Sequence, residues 1–224
     1  EWNISLRDSR GILISPIEKS GFSKGLDTSH GKIEPYHATE FVYLNLDEQY
    51  RRTTAHNLPW DKPKVIATSR RMSRSPWRIV GYSDYEGLVC YKNFFGMWPK
   101  VEISLESLAT ITNSPLVNAF LFSKGYGRDN SVGVVEQIPV PFANAMDSEK
   151  VTELVKHYGA LRPQLDTNAH KQAIIQDCIR TLYKIDALVL KAYDLPPKLE
   201  RKLLEFFRGY PRPLPFPFPD YYPA

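Results

Sequence analysis

The stretch Ser104-Leu-Glu-Ser-Leu-Ala-Thr-Ile-Thr-Asn-Ser-Pro115 is where the chain changes its period. Leu105, Leu108, Ala109, Ile111 and Thr112 fall on one face of a 3.6-residue helix. Asn113-Ser-Pro then breaks that helix and starts another, with Ser114 as cap and Pro115 at the first position, where a missing N–H loses no bond. The second helix carries Leu116, Phe120 and Leu121 inward and ends near Gly125. Before this point the chain reads as strands, and after it mostly as helices. The fold class expected is therefore α+β.

Towards the N-terminus, residues 41–46 and 64–68 are short runs of β-branched and aromatic residues. Residues 77–82 and 88–91 have the same character, and the turn residues between them predict a hairpin. Beyond Gly125, Val132–Val135 reads as a strand and Ile138-Pro-Val-Pro141 as extended chain. Asp147-Ser-Glu opens a helix with Val151, Leu154, Val155, Tyr158 and Leu161 at 3–4 spacing. Ile175, Cys178, Leu182, Ile185, Val189 and Ala192 form a coiled-coil-like seam, so two antiparallel helices joined by a turn at 162–168 are expected. A short third helix over 197–208 stops at Gly209. The tail alternates proline with aromatic residues and should be extended and laid along a surface. The division expected is a β-rich domain at 1–146, a helical arm at 147–209 and a tail at 210–224.

Length and composition bound the function classes. At 224 residues and 42 % hydrophobic, the chain buries a sizeable core. Cys90 and Cys178 lie far apart in apolar contexts, which suits a reducing, cytoplasmic setting rather than a disulfide or metal framework. No apolar run approaches the roughly 18 residues of a membrane span. The chain opens on Glu1 rather than Met, which reads as a piece of a longer polypeptide.

Charge is concentrated. Residues 51–78 hold eight Lys/Arg against Asp61 alone, a local net of +7, while the whole chain nets +4. Everything outside that window is therefore slightly acidic, and such a concentration points to a polyanionic partner. Within it, Lys64, Arg70, Arg71, Arg74 and Arg78 are candidate phosphate contacts, with Ser69, Ser73 and Ser75 as hydrogen-bonding partners to the same oxygens. Arginine also reads a guanine edge bidentately in the major groove. The loop Ser123-Lys-Gly-Tyr-Gly-Arg-Asp-Asn130 is a second candidate, offering Lys124, Tyr126 and Arg128 with glycines that permit close backbone approach. Trp60 and Trp77, at the two ends of the basic loop within this window, are expected to anchor the loop's base in the core.

Catalytic signatures are missing from the sequence. The five histidines never stand at metal spacing, no serine sits in a nucleophile elbow, and no phosphate-binding glycine loop occurs. The reading for this chain is a non-enzyme.

The order Asp84-Tyr-Glu-Gly-Leu-Val89, Leu105 through Ser114, the glycine-bearing loop at 125–127 and Val134-Val-Glu-Gln-Ile-Pro-Val-Pro141 resembles the target-recognition region of adenine-N6 DNA methyltransferases from restriction–modification systems. The resemblance runs from about Lys64 to the helices near 192, and more loosely over 10–60. It implies a specificity domain that reads double-stranded DNA for a catalytic domain binding S-adenosylmethionine. Neither that domain's cofactor loop nor its Asn/Asp-Pro-Pro-Tyr/Phe pocket is in this sequence, so no cofactor is expected here. The partners implied are double-stranded DNA and the methyltransferase domain, with no membrane. Two alternatives stay open: a protein-interaction module using the helical seam and Pro-rich tail, and a small enzyme with an unrecognised site.

Overall fold

The computed structural model describes residues 13–27, 32–51, 53–69, 75–125, 129–142, 145–167 and 171–222. Strand β6 (Lys64–Thr68) organises them. All five of its residues are buried, and alternate side chains face opposite ways, as the pleat requires. Val65 and Ala67 enter one apolar cluster, while Ile66 enters a second with Trp60, Val80, Leu88 and Phe94. The strand expected at 64–68 is present, and it divides two cores.

Strands β7 (Gly81–Asp84) and β9 (Phe94–Met97) flank β6, both antiparallel to it. A second sheet runs β1 (Ile14–Ser15), β5 (Val42–Asn45), β2 (Phe22–Leu26), β8 (Val89–Cys90), and its β2–β8 pair is parallel. At that pair a Cβ on Gly25 would lie 2.2 Å from the Val89 carbonyl oxygen, so only glycine fits. Strands β3 (Lys32–Glu34) and β4 (His37–Glu40) form a separate hairpin. Its turn holds Tyr36 at φ 63 and inserts the ring edge-on against Tyr158.

The helical half follows its caps. Ser104 Oγ accepts the Ser107 N–H and opens α1 (Leu105–Asn113); Ser114 Oγ accepts the Val117 N–H and opens α2 (Pro115–Lys124), whose C-cap is Gly125. Helix α3 (Val132–Val135) is a single turn. Asp147 caps α4 (Ser148–Leu161) through the Lys150 N–H. Then come α5 (Gln164–Thr167), α6 (Lys171–Tyr193) and α7 (Pro197–Glu205). Helix α1 is buried on nearly every side because it touches β6, β7, α4 and α6. From the expected seam, Cys178, Leu182, Ile185, Val189 and Ala192 are buried, and they share a cluster with Val65, Ile79, Leu105 and Tyr158. Burial of each such large apolar side chain contributes about 1.5–3 kcal/mol. Residues on both sides of position 146 thus contribute to one core.

The α+β class holds, with three departures. The expected hairpin from 77–82 and 88–91 does not form: β7 pairs with β6, and β8 joins β2 in the other sheet. Two buried side chains account for it. Asp84 Oδ1 and Oδ2 accept the Glu86 and Leu88 N–H groups, which turns the chain away, while Arg78 and Ile79 give their N–H groups to Asn118 Oδ1. The strand expected at Val132–Val135 is helical, with the Val134 and Val135 N–H groups bonded to the Ser131 carbonyl. A short β-branched run fits either period, and the turn lets Val132 and Val135 line one groove with Phe95 and Met97. Helix α7 ends at Glu205 rather than 208, and Gly209 at φ 75 marks the stop. Both cysteines are free and buried. No helix among the described residues is long and apolar enough to cross a membrane.

Candidate nucleic-acid interface

The two loops singled out by charge leave the core side by side. Residue 69 precedes one loop and Asn130 follows the other, and the Asn130 N–H donates to the Ser69 carbonyl at 2.6 Å. Asn130 Nδ2 also donates to the Arg78 carbonyl at 3.0 Å, just past the first loop's exit. A third segment joins them: the Ser69 N–H donates to the Asn93 carbonyl at 2.8 Å. Lys92 and Asn93 form a left-handed turn, with φ 40 and 57, between β8 and β9. Lys92 is exposed there.

Side-chain amides hold these stems. Asn118 Oδ1 accepts the Arg78 N–H at 2.6 Å and the Ile79 N–H at 3.0 Å, while its Nδ2 donates to the Ser114 carbonyl at 3.0 Å. Asn113 Oδ1 accepts the Gly81 N–H at 2.8 Å, and its Nδ2 donates to the Gly81 carbonyl at 2.9 Å. The break between α1 and α2 is thus a clamp on residues 78–81. All these groups are buried, so each bond removes a backbone atom's need for water.

The predicted DNA-binding residues divide three ways. Arg70, Arg71, Arg74, Tyr126 and Arg128, with Ser73, lie outside the described residues. Lys124 is exposed at the end of α2, beside the second loop, with Nζ 5.7 Å from the Phe120 ring centroid. Lys64 and Arg78 are enclosed by protein, at 0 % and 2 % exposure, and cannot meet a phosphate there. Lys64 Nζ donates to Asp84 Oδ2 and to the Trp60 carbonyl, the latter at 2.6 Å, which ties β6 to β7 and to the chain before it. The Arg78 guanidinium packs under Gly125, where a Cβ would stand 3.3 Å from Nη2. Ser69 and Ser75 are buried as well, and Ser75 Oγ accepts the Trp77 N–H at 3.2 Å. Lys64 faces the core because the buried Asp84 carboxylate is there to meet it, and charge counting alone misses this. Trp60 and Trp77 are buried anchors, as expected.

Trp77 leads to a group that the sequence pattern does not reveal. Its Nε1 donates to the Tyr210 carbonyl at 3.2 Å, and its ring lies 4.3 Å from that of Phe207 and 4.9 Å from the Arg212 guanidinium. Arg212 is bidentate on Asp186 at 2.6 and 3.2 Å, and Tyr221 Oη donates to Asp186 Oδ2 at 2.7 Å. Burial alone would pull the Arg212 guanidinium down, but the Asp186 carboxylate and Tyr221 outweigh it and hold the arginine above its usual value. Burial, reinforced by Asp186, pushes the Tyr221 hydroxyl up. The tail runs along the surface and inserts two side chains: Phe216 and Arg212 are buried, while Pro211, Pro215, Pro217 and Pro219 are exposed. No periodicity signal marks one arginine among prolines as buried.

No family model matches the chain, and a search of curated proteins finds no significant match.

Proposed function

We propose that the chain is a sequence-specific reader of double-stranded DNA, the recognition module of an adenine-N6 methyltransferase of a restriction–modification system. The loops at 70–74 and 126–128 would meet the duplex. The observation that carries this reading is the bridge at Asn130, which brings the stems of two cationic loops to one place. Neutralising several adjacent phosphates needs such convergence, and reading base edges needs it held rigidly.

On this reading Arg70, Arg71, Arg74, Lys124, Tyr126 and Arg128 touch the duplex, joined by Lys92 from the neighbouring turn. Lys64 and Arg78 are supports. S-adenosylmethionine chemistry belongs to a partner domain. The seam and tail that a protein-interaction module would offer to others are engaged within this chain, which favours the DNA reading over that alternative.

Titration with duplex DNA across salt concentration tests it. Each phosphate neutralised adds about −0.9 to the slope of log affinity against log salt. Replacing Arg70, Arg71 and Arg74 with glutamine should make that slope shallower by roughly 0.9 for every phosphate those arginines neutralise. An unchanged slope would place the DNA-binding cations elsewhere.

A further inference from the structure

We infer that segment 210–222 is a strap that sets the exit stem of the loop at 70–74, with Arg212 as its positioning residue. One guanidinium reaches three separated parts of the chain. It pairs with Asp186 on α6, its Nη2 donates to the Asn113 carbonyl at 3.3 Å, and its plane covers Trp77. Asn113 is the residue whose amide clamps Gly81, and Trp77 stands two residues after Ser75, where the described stem begins again. The strap thus grips the stem twice, once through the clamp and once directly.

The rest of the tail holds Arg212 in place. The Tyr183 hydroxyl donates to the Pro219 carbonyl at 3.3 Å, and the Gly209 N–H donates to Asp220 Oδ1 at 3.1 Å. The Tyr183 ring lies 5.0 Å from that of Phe218 and 5.9 Å from that of Tyr221. Five prolines between 211 and 219 fix much of the backbone in advance, which lowers the entropy lost on docking. A buried ion pair adds little net stability over an apolar replacement, and the role inferred for this one is to select a single arrangement of the parts it joins. Here those parts are the loop stem, the α1–α2 break and α6. The consequence for DNA rests on the recognition function proposed above; the mechanical link does not.

Amide hydrogen exchange on the full chain tests the link without any ligand. Replacing Arg212 with glutamine should speed exchange at Ile79, Gly81 and Asn130 by roughly ten- to a hundredfold, while amides of β2 and β5 keep wild-type rates. Should that variant fail to fold, Tyr221→Phe removes only the hydroxyl, with its bond to Asp186 and the 3.4 Å bond it accepts from Arg212 Nη1, and should give a smaller increase at the same amides. Unchanged exchange at 79, 81 and 130, or an increase spread evenly over both sheets, overturns the strap. Duplex titration of the same proteins separates the two ideas. Local opening in a protein that binds no DNA would leave the strap standing and remove the recognition function. With DNA binding present, Arg212→Gln should lower the ratio of specific to non-specific affinity and leave the non-specific salt slope unchanged; an unaltered ratio would confine the strap to stability and overturn its positioning role.

Discussion

The Asn113 side-chain amide stands in for a neighbouring strand at Gly81, accepting its N–H at 2.8 Å and donating to its carbonyl at 2.9 Å. Both backbone groups lie in the interior, on the far edge of the sheet from β9. Asn113→Leu keeps the volume and removes both bonds, which leaves the buried Gly81 N–H unpaired, while the Gly81 carbonyl keeps the Tyr36 N–H at 3.0 Å. The expected loss is about 1–3 kcal/mol by equilibrium urea unfolding, the cost of one orphaned group. A loss near zero would mean that water or another side chain takes over the N–H.

Much of the helical half is legible in the sequence because its signals are local. Ser114-Pro115 and Asp147 act as the caps their side chains suggest, and the 3–4 spacing from Cys178 to Ala192 matches the buried face. Partner choice between strands is not legible. Whether β7 pairs with β8 or β6 depends on Asp84 turning the chain and on Asn118 occupying the preceding N–H groups, bonds that span 4 to 40 residues. For the candidate site, charge and glycine are enough to name the two loops, and aromatic bulk marks the anchoring tryptophans. The enclosure of Lys64 and Arg78 is hidden, because a lysine with a buried carboxylate partner looks the same in sequence as one facing water.

The Lys64–Asp84 pair separates a support from a phosphate-binding cation. Both side chains are fully buried, so Lys64→Met strands a carboxylate in the interior and should cost about 3–5 kcal/mol in thermal or urea unfolding. Below the unfolding transition, the salt slope of duplex binding should match wild type. A shallower slope in a folded Lys64→Met protein would return Lys64 to the DNA surface.

His37 makes stability pH-dependent. Burial first, and then the nearby Arg162 guanidinium, lowers its pKa from 6.5, against opposing pulls from Glu34 and Asp166. The unfolded chain therefore takes up a proton that the folded chain resists. This contribution is intact above 6.5 and is lost as the pH falls from 6.5 towards the lower folded value. Measured between about pH 8 and about pH 5, His37→Asn should lose less stability on acidification than wild type. Parallel curves would show that His37 titrates as it does in the unfolded chain.

Cys90 and Cys178 are buried, and desolvation pushes both thiols up, Cys178 to about 11. Thiolate is the reactive form, so both should resist a disulfide reagent in the native protein and react at the rate of unfolding. Rapid stoichiometric labelling of the native chain would contradict the packing of both clusters.

Two loops that share one anchored base are held here to read one DNA sequence. The most direct measurement is selection from a random duplex library, comparing wild type with a chain whose residues 70–74 are replaced by a Gly/Ser segment of equal length. Wild type should enrich one defined sequence, and the replaced chain should lose that enrichment while keeping its fold. A wild-type selection with no sequence enriched, or the same sequence enriched by both proteins, would contradict the recognition function.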